Sequence, residues 1–138
     1  MTLDADVVRS RCGDIEDSVV RLEHLATAGR DQFLADRDSQ DIACYRLLVA
    51  IEAALGLCYH VATRRLRKAP DDYAACFAVL SEAGLIPEDL SRRLQQMARF
   101  RNLLVHIYWK LDYGRVYDIM QREIGDLRLF ASAIAALV

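Results

Sequence analysis

Proline and glycine are scarce in this chain of 138 residues, with two of the first and six of the second. These are the residues that most often interrupt helices, so long stretches are free to be helical. Period-two alternation of apolar and polar residues is also missing, so nothing signals a strand. No unbroken run approaches the ~20 apolar residues of a membrane span. The opening Met1-Thr2-Leu3-Asp4-Ala5-Asp6 is acidic and lacks the apolar segment of a secretion signal. The four cysteines, Cys12, Cys44, Cys58 and Cys76, contain no Cys-x-x-Cys pair, and no histidine stands at ligand spacing from two of them. That argues against a metal site and for small apolar packing. Charge of one sign is not in excess: 18 basic and 20 acidic residues leave a net −2, so the chain is no basic coat for nucleic acid. Any anion-binding role must rest on a local patch. No glycine-rich phosphate loop is present. These absences lead to the expectation of a cytoplasmic, soluble protein with reduced thiols, no cofactor and no metal.

What is present is helical. Leu, Ala and Arg are the commonest residues, and all three favour helix. The length suits one domain, residues 1–138. Val8, Cys12, Ile15, Val19, Leu22 and Ala26 step by four and three, an amphipathic helix ending near Gly29. Residues 30–39 form a polar connector holding Phe33 and Leu34, with room for one helical turn. Ser39 is a candidate N-cap for a long second helix reaching about Lys68. Its apolar residues cover nearly the whole circumference from Ile42 to Val61, which predicts a central position. The cations at its end, Arg64, Arg65, Arg67 and Lys68, suit a helix C-terminus. Pro70 suits the first turn of a third helix that stops at Gly84, and Pro87-Glu88-Asp89 starts a fourth running to about Lys110. Asp112 and Gly114 mark a turn, and a fifth helix spans about Arg115 to Leu137. The sum is an all-α, up-and-down helical bundle of four long helices plus a shorter one.

The fourth helix carries the chemistry. Arg101-Asn102-Leu103-Leu104-Val105-His106-Ile107-Tyr108 places a permanent planar cation, a near-neutral proton carrier and a phenol in an apolar run. At about 100° per residue, Arg101 joins Leu90, Leu94, Met97, Leu104, Tyr108 and Leu111 on one seam, while His106 lies about 140° away. Asn102, Arg99, Lys110 and Arg92 share the face of His106. Arg101 and His106 meet only if the arginine reaches around, the helix bends, or two chains each contribute a group. On the second helix Glu52 interrupts the stripe of Asp41, Tyr45, Leu48, Leu55 and Tyr59. A carboxylate on such a face needs a cation, and Arg101 is the candidate partner. That pairing would make Arg101 a member of a core ion pair rather than a free phosphate clamp. His24 and His60 have no companions, and Trp109 reads as a packing residue.

With this motif, Ile51-Glu52, Leu111-Asp112 and Val116-Tyr117-Asp118-Ile119, the chain resembles the HEPN superfamily from end to end, and within it the HepT-type toxins of HEPN/MNT toxin–antitoxin pairs. The resemblance implies a metal-independent endoribonuclease, a homodimer, that acts on RNA (tRNA or mRNA). It implies catalytic roles for Arg101 and His106, with Asn102, Arg99 and Lys110 supporting RNA binding and Glu52 as a partner behind them. His106 would move the proton of the ribose 2′-hydroxyl or of the leaving oxygen, and Arg101 would offset charge on the phosphate. Tyr108 matches the tyrosine to which an MNT-type nucleotidyltransferase antitoxin adds AMP. A bulky anion there would block RNA and neutralise the toxin. The local charge agrees, with five Arg or Lys and two acids between Glu88 and Lys110.

Two other readings stand beside this one. The chain could be a non-catalytic interaction module that serves as partner and substrate of a nucleotidyltransferase through Tyr108. It could also be a nucleotide-binding helical domain.

Overall fold

The computed structural model describes residues 2–106 and 110–138. Among them seven helices and no strand occur: α1 (Ala5–Ala26), α2 (Arg30–Ala35), α3 (Arg37–Arg64), α4 (Tyr73–Glu82), α5 (Glu88–His106), α6 (Tyr113–Arg122) and α7 (Ile124–Ala135). The all-α class expected from the sequence is the one observed. Two helices more than the sequence suggested arise because the connector after α1 coils into α2 and the last helix is divided in two.

The caps explain where these helices begin. Asp4 caps α1 by accepting from the N–H groups of Asp6 and Val7, at 2.9 and 3.3 Å. Gly29 ends the α1 turn at φ 92, a left-handed value that glycine adopts without steric cost. The cap of α3 is Asp36 and not Ser39. Asp36 accepts from the N–H groups of Asp38 and Ser39, and the Ser39 hydroxyl donates to it at 2.8 Å. A carboxylate accepts all three bonds at once, which moves the cap three residues earlier. Gln40 then turns back on α2, its amide donating to the carbonyls of Phe33 and Leu34, both at 3.1 Å. The Phe33 carbonyl also accepts the Asp36 N–H at 3.3 Å, so backbone and side chain together finish α2, and Gln40 ties it to α3.

At its far end α3 stops at Arg64, short of Lys68. Arg67 takes φ 54, and the Lys68 N–H folds back to the Ala62 carbonyl at 2.9 Å. α4 starts at Tyr73 rather than at Pro70, because Asp72 is the cap, accepting the Ala75 N–H at 2.7 Å. Glu123 separates α6 from α7 with φ −113. There the first turn of α7 holds Gly125, a poor helix former, and the Glu123 carboxylate is drawn back to Arg115 at 2.9 Å.

α3 alone touches each of the other six described helices, and it packs most extensively on α1. Its length and composition would suit a membrane span, but Leu47, Ala50, Ile51, Ala54, Leu57 and Cys58 are buried inside the bundle. The small residues Ala50, Ala53 and Ala54 let neighbouring helices approach closely. The expectation of apolar burial all round holds for its middle and fails at its start. Ile42 and Tyr45 are 48% and 60% exposed, because only the far side of that segment faces α1 and α2. Phe77 of α4 and Phe130 of α7 close the core edge to face, with centroids 5.4 Å apart. Cys58 and Cys76 are buried, while Cys12 and Cys44 are partly so.

This packing places α5 beside α3 and α4, with the amphipathic pattern foreseen for it. Leu90, Leu94, Met97 and Leu104 are buried, and Arg92, Arg99, Asn102 and His106 are exposed. Arg101 sits among the buried set near the end of the helix, where α3 and α4 converge on it.

Candidate active site

Arg101 extends from the apolar seam of α5 toward α3, where its Nε donates to Oε1 of Glu52. Its Nη1 donates to the Asn102 amide oxygen at 3.3 Å. Its Cζ lies 5.0 Å from the ring centroid of Tyr73, the first residue of α4. The side chain of Arg101 is 16% exposed and that of Glu52 is 44% exposed. The pairing inferred from the sequence is therefore present, but it is not a sealed core pair. The stripe of Asp41, Tyr45 and Glu52 runs along an outer edge of α3, so solvent reaches the carboxylate. A phosphate reaching the same guanidinium would compete with a hydrated carboxylate and would not have to open the core.

His106 is the last residue of α5 and is exposed. α5 remains α-helical through His106, and no hydrogen bond joins it to Arg101 among the described residues. Within one chain the arginine turns inward and the histidine stays at the rim. Of the three ways to bring them together, reaching around the helix is not used, because the donors of Arg101 point to Glu52 and Asn102. Tyr108, the residue matched to AMP modification, lies outside the described residues, as do Ile107 and Trp109.

Next to this cluster a surface cleft of about 280 Å³ runs between the start of α4 and the end of α5. It is lined by Asp72, Tyr73, Ala74, Ala98, Arg99 and Asn102. Asn102 therefore faces both the cleft and Arg101. The cations of α5 differ in what they do. Arg92 pairs with Glu88 at 2.9 Å, and Arg93 with Asp89 and Asp126 at 3.2 and 3.1 Å. Arg99 makes no ion pair among the described residues, and Lys110, which lies beyond the end of α5 at His106, is exposed. The sequence grouped Arg92 with Arg99; the structure commits the first to its own helix and leaves the second beside the cleft.

Tyr73 was legible only as an apolar residue of the third helix. Its place under Arg101 depends on how α4 packs, which no local pattern encodes. Tyr59 of α3 meets Tyr73 edge to face, with centroids 5.8 Å apart and planes at 84°. Burial pushes the Tyr59 phenol above its ordinary value, with smaller contributions from Cys76, Tyr73, Asp72 and Cys58. It stays a neutral phenol at physiological pH. Among the described residues, no three His, Cys, Asp or Glu side chains gather as cation ligands.

A bundle built on one central helix, with an Arg-Asn…His segment ending the helix beside it, defines a HEPN-type domain. Comparison with known proteins narrows the class. The sequence pattern described as Ribonuclease HepT-like matches residues 15–134, and the chain belongs to that family. The protein named mRNA nuclease HepT of Shewanella oneidensis is 26% identical over 131 residues, which covers 95% of this chain and 98% of its own. A solved structure of a tri-AMPylated HEPN toxin of the same organism in complex with MNT antitoxin is 26% identical, with a TM-score of 0.88 over 95% of this chain and 98% of that one. A toxin–antitoxin crystal structure with AMP-PNP is 25% identical, with a TM-score of 0.85 over 94% and 98%.

Proposed function

We propose that this chain is the toxin of a HEPN/MNT toxin–antitoxin pair, a metal-independent endoribonuclease that its antitoxin silences by transferring AMP to Tyr108. The observation that carries the reading is the seating of Arg101. In a chain of the ribonuclease HepT-like family, the motif arginine is oriented by Glu52, Asn102 and Tyr73 beside a cleft, while the motif histidine stands exposed on the same helix.

The chemistry follows from the two groups. His106 takes the proton of a ribose 2′-hydroxyl, whose oxygen attacks the adjacent phosphorus. Arg101 bears on the phosphate oxygens as negative charge builds there. The 5′-oxygen leaves with a proton returned from the His106 imidazolium through water, so the fragments carry a 2′,3′-cyclic phosphate and a 5′-hydroxyl. Arg99, Lys110 and Asn102 hold flanking phosphates or sugars. The substrate class is RNA, tRNA or mRNA.

Two copies complete the site in this reading. Arg101 and His106 diverge within one chain, and a twofold axis beside α5 would bring the motifs of two protomers together. Leu103 and Val105, 41% and 36% exposed, interleave with Asn102 and His106 and are suited to being covered by that second copy.

The reading is tested in bacteria. Expression of the parent arrests growth, and His106→Ala relieves the arrest. Co-expressed nucleotidyltransferase antitoxin also relieves it, with AMP on the protein by intact mass. Tyr108→Phe blocks that protection. Arrest unchanged by His106→Ala, but dependent on Tyr108, would instead favour the interaction-module reading, to which the engagement of Arg101 by Glu52 lends its one structural argument.

A further inference from the structure

We propose that Tyr73 is a positioning residue for Arg101: its ring fixes the plane of the guanidinium and leaves the N–H donors for the phosphate. The inference rests on the ribonuclease reading of Arg101.

The three contacts on Arg101 differ in what they consume. The bonds from Nε to Glu52 and from Nη1 to Asn102 each occupy an N–H donor. Those donors lie in the plane of the guanidinium and are the groups that a phosphate would use. The Tyr73 ring, 5.0 Å from Cζ, attracts the cation through its π-face and occupies no donor. When a phosphate displaces the carboxylate of Glu52, the ring contact can persist. Nη2 makes no hydrogen bond among the described residues, so the fork has a free arm even before that exchange.

The ring is itself held. Tyr73 opens α4 directly after its capping residue Asp72, whose carboxylate accepts the Ala75 N–H. Tyr59 of the central helix braces it edge to face. Tyr73 also lines the cleft with Arg99 and Asn102, so the group that orients Arg101 forms part of the wall beside it. Three helices thus set one guanidinium: α5 carries it, α3 offers the exchangeable carboxylate, and α4 supplies the ring.

The test separates orientation from packing. Position 73 is filled in turn with Phe, Leu and phenylalanines carrying one, two and three ring fluorines, which weaken the π-face with little change of shape. Each protein cleaves an end-labelled single-stranded RNA of mixed sequence, after its fold is checked by melting. Tyr73→Phe keeps most of the activity. The fluorinated series loses rate stepwise, and Tyr73→Leu falls about ten- to a hundredfold, the scale of a slightly misplaced catalytic group. In parallel, the Arg101 Nε–H proton, which the bond to Glu52 draws downfield, resonates upfield in the parent of its position in Tyr73→Leu, because the ring shields it. An active parent with a flat fluorine series, or an unshielded Arg101 proton, overturns this inference and leaves the ribonuclease reading intact. A folded, unmodified parent that cleaves no RNA overturns both.

Discussion

Arg101 and Glu52 join α5 to α3 across 49 positions of sequence, and the carboxylate end of the pair is open to solvent. In the proposed ribonuclease the ion pair is a gate on the cation: it would hold Arg101 until a phosphate oxygen competes for the same donors. Replacing Glu52 with Gln keeps an acceptor and removes the charge. Glu52→Gln is predicted to bind single-stranded RNA more tightly than the parent at low salt, measured by fluorescence anisotropy. Unchanged or weaker binding would show that the pair does not compete with phosphate.

Arg101→Ala separates the structural role of the arginine from its chemical one. A pair this exposed at one end contributes about 1 kcal/mol to stability, not the roughly 3–5 kcal/mol lost when a fully buried pair is broken. The variant is predicted to melt only a few degrees below the parent while losing RNA cleavage. A large loss of stability would make Arg101 primarily a core residue.

Asp72 caps the start of α4, where Tyr73 stands. Asp72→Ala removes the acceptor for the Ala75 N–H and is predicted to cost about 1 kcal/mol, whereas Asp72→Asn keeps most of the cap. Urea denaturation of the two variants measures the difference. Equal stability would mean that the cap carries no weight.

His60 gives the fold a pH dependence with a definite sign. Its Nε2 accepts the Asp4 N–H at 3.0 Å and so ties the cap of α1 to the central helix. Burial, then the charge of Arg64, hold its pKa below the ordinary 6.5, with Asp4 opposing. The unfolded chain therefore takes up this proton first. The contribution of His60 is full above pH 6.5 and is lost as pH falls from there through the lowered native value. Glu16, held down chiefly by Arg128, and Asp36, held down chiefly by Ser39, act in the carboxylate range below it. The melting temperature is predicted to fall between pH 6.5 and 5 in the parent and to fall less in His60→Gln. Parallel curves would contradict this.

Arg67 stands at φ 54 where α3 ends. A side chain in that region costs roughly 1–2 kcal/mol, of which glycine gives back part through its freedom in the unfolded chain. Arg67→Gly is predicted to raise the melting temperature slightly, and a lower one would show that the arginine side chain earns its conformation through contacts.

Much of this architecture was legible residue by residue. The steps of three and four from Val8 to Leu22, and the seam from Leu90 to Leu104, became buried helix faces because apolar periodicity is a local property. Glu52 and Arg101 could be matched across helices because each was the odd polar residue on an apolar stripe. What escaped depended on competition or on tertiary placement. Asp36 outcompeted Ser39 as a cap, Glu123 broke a helix that periodicity alone would continue, and Glu52 proved half exposed because a stripe does not reveal which neighbour stops short of it. Tyr73 was visible only as one more aromatic, since a ring becomes a cation platform only where another helix delivers the cation.

In the proposed ribonuclease, Arg101 and His106 carry the chemistry. Folded parent and His106→Ala, both shown by intact mass to be unmodified, are incubated with total cellular RNA in EDTA, and the fragments are resolved with their 3′ ends identified. Cleavage by the parent alone, leaving 2′,3′-cyclic phosphate ends, is the predicted result. Cleavage that persists undiminished in His106→Ala, or none by the parent, would contradict it.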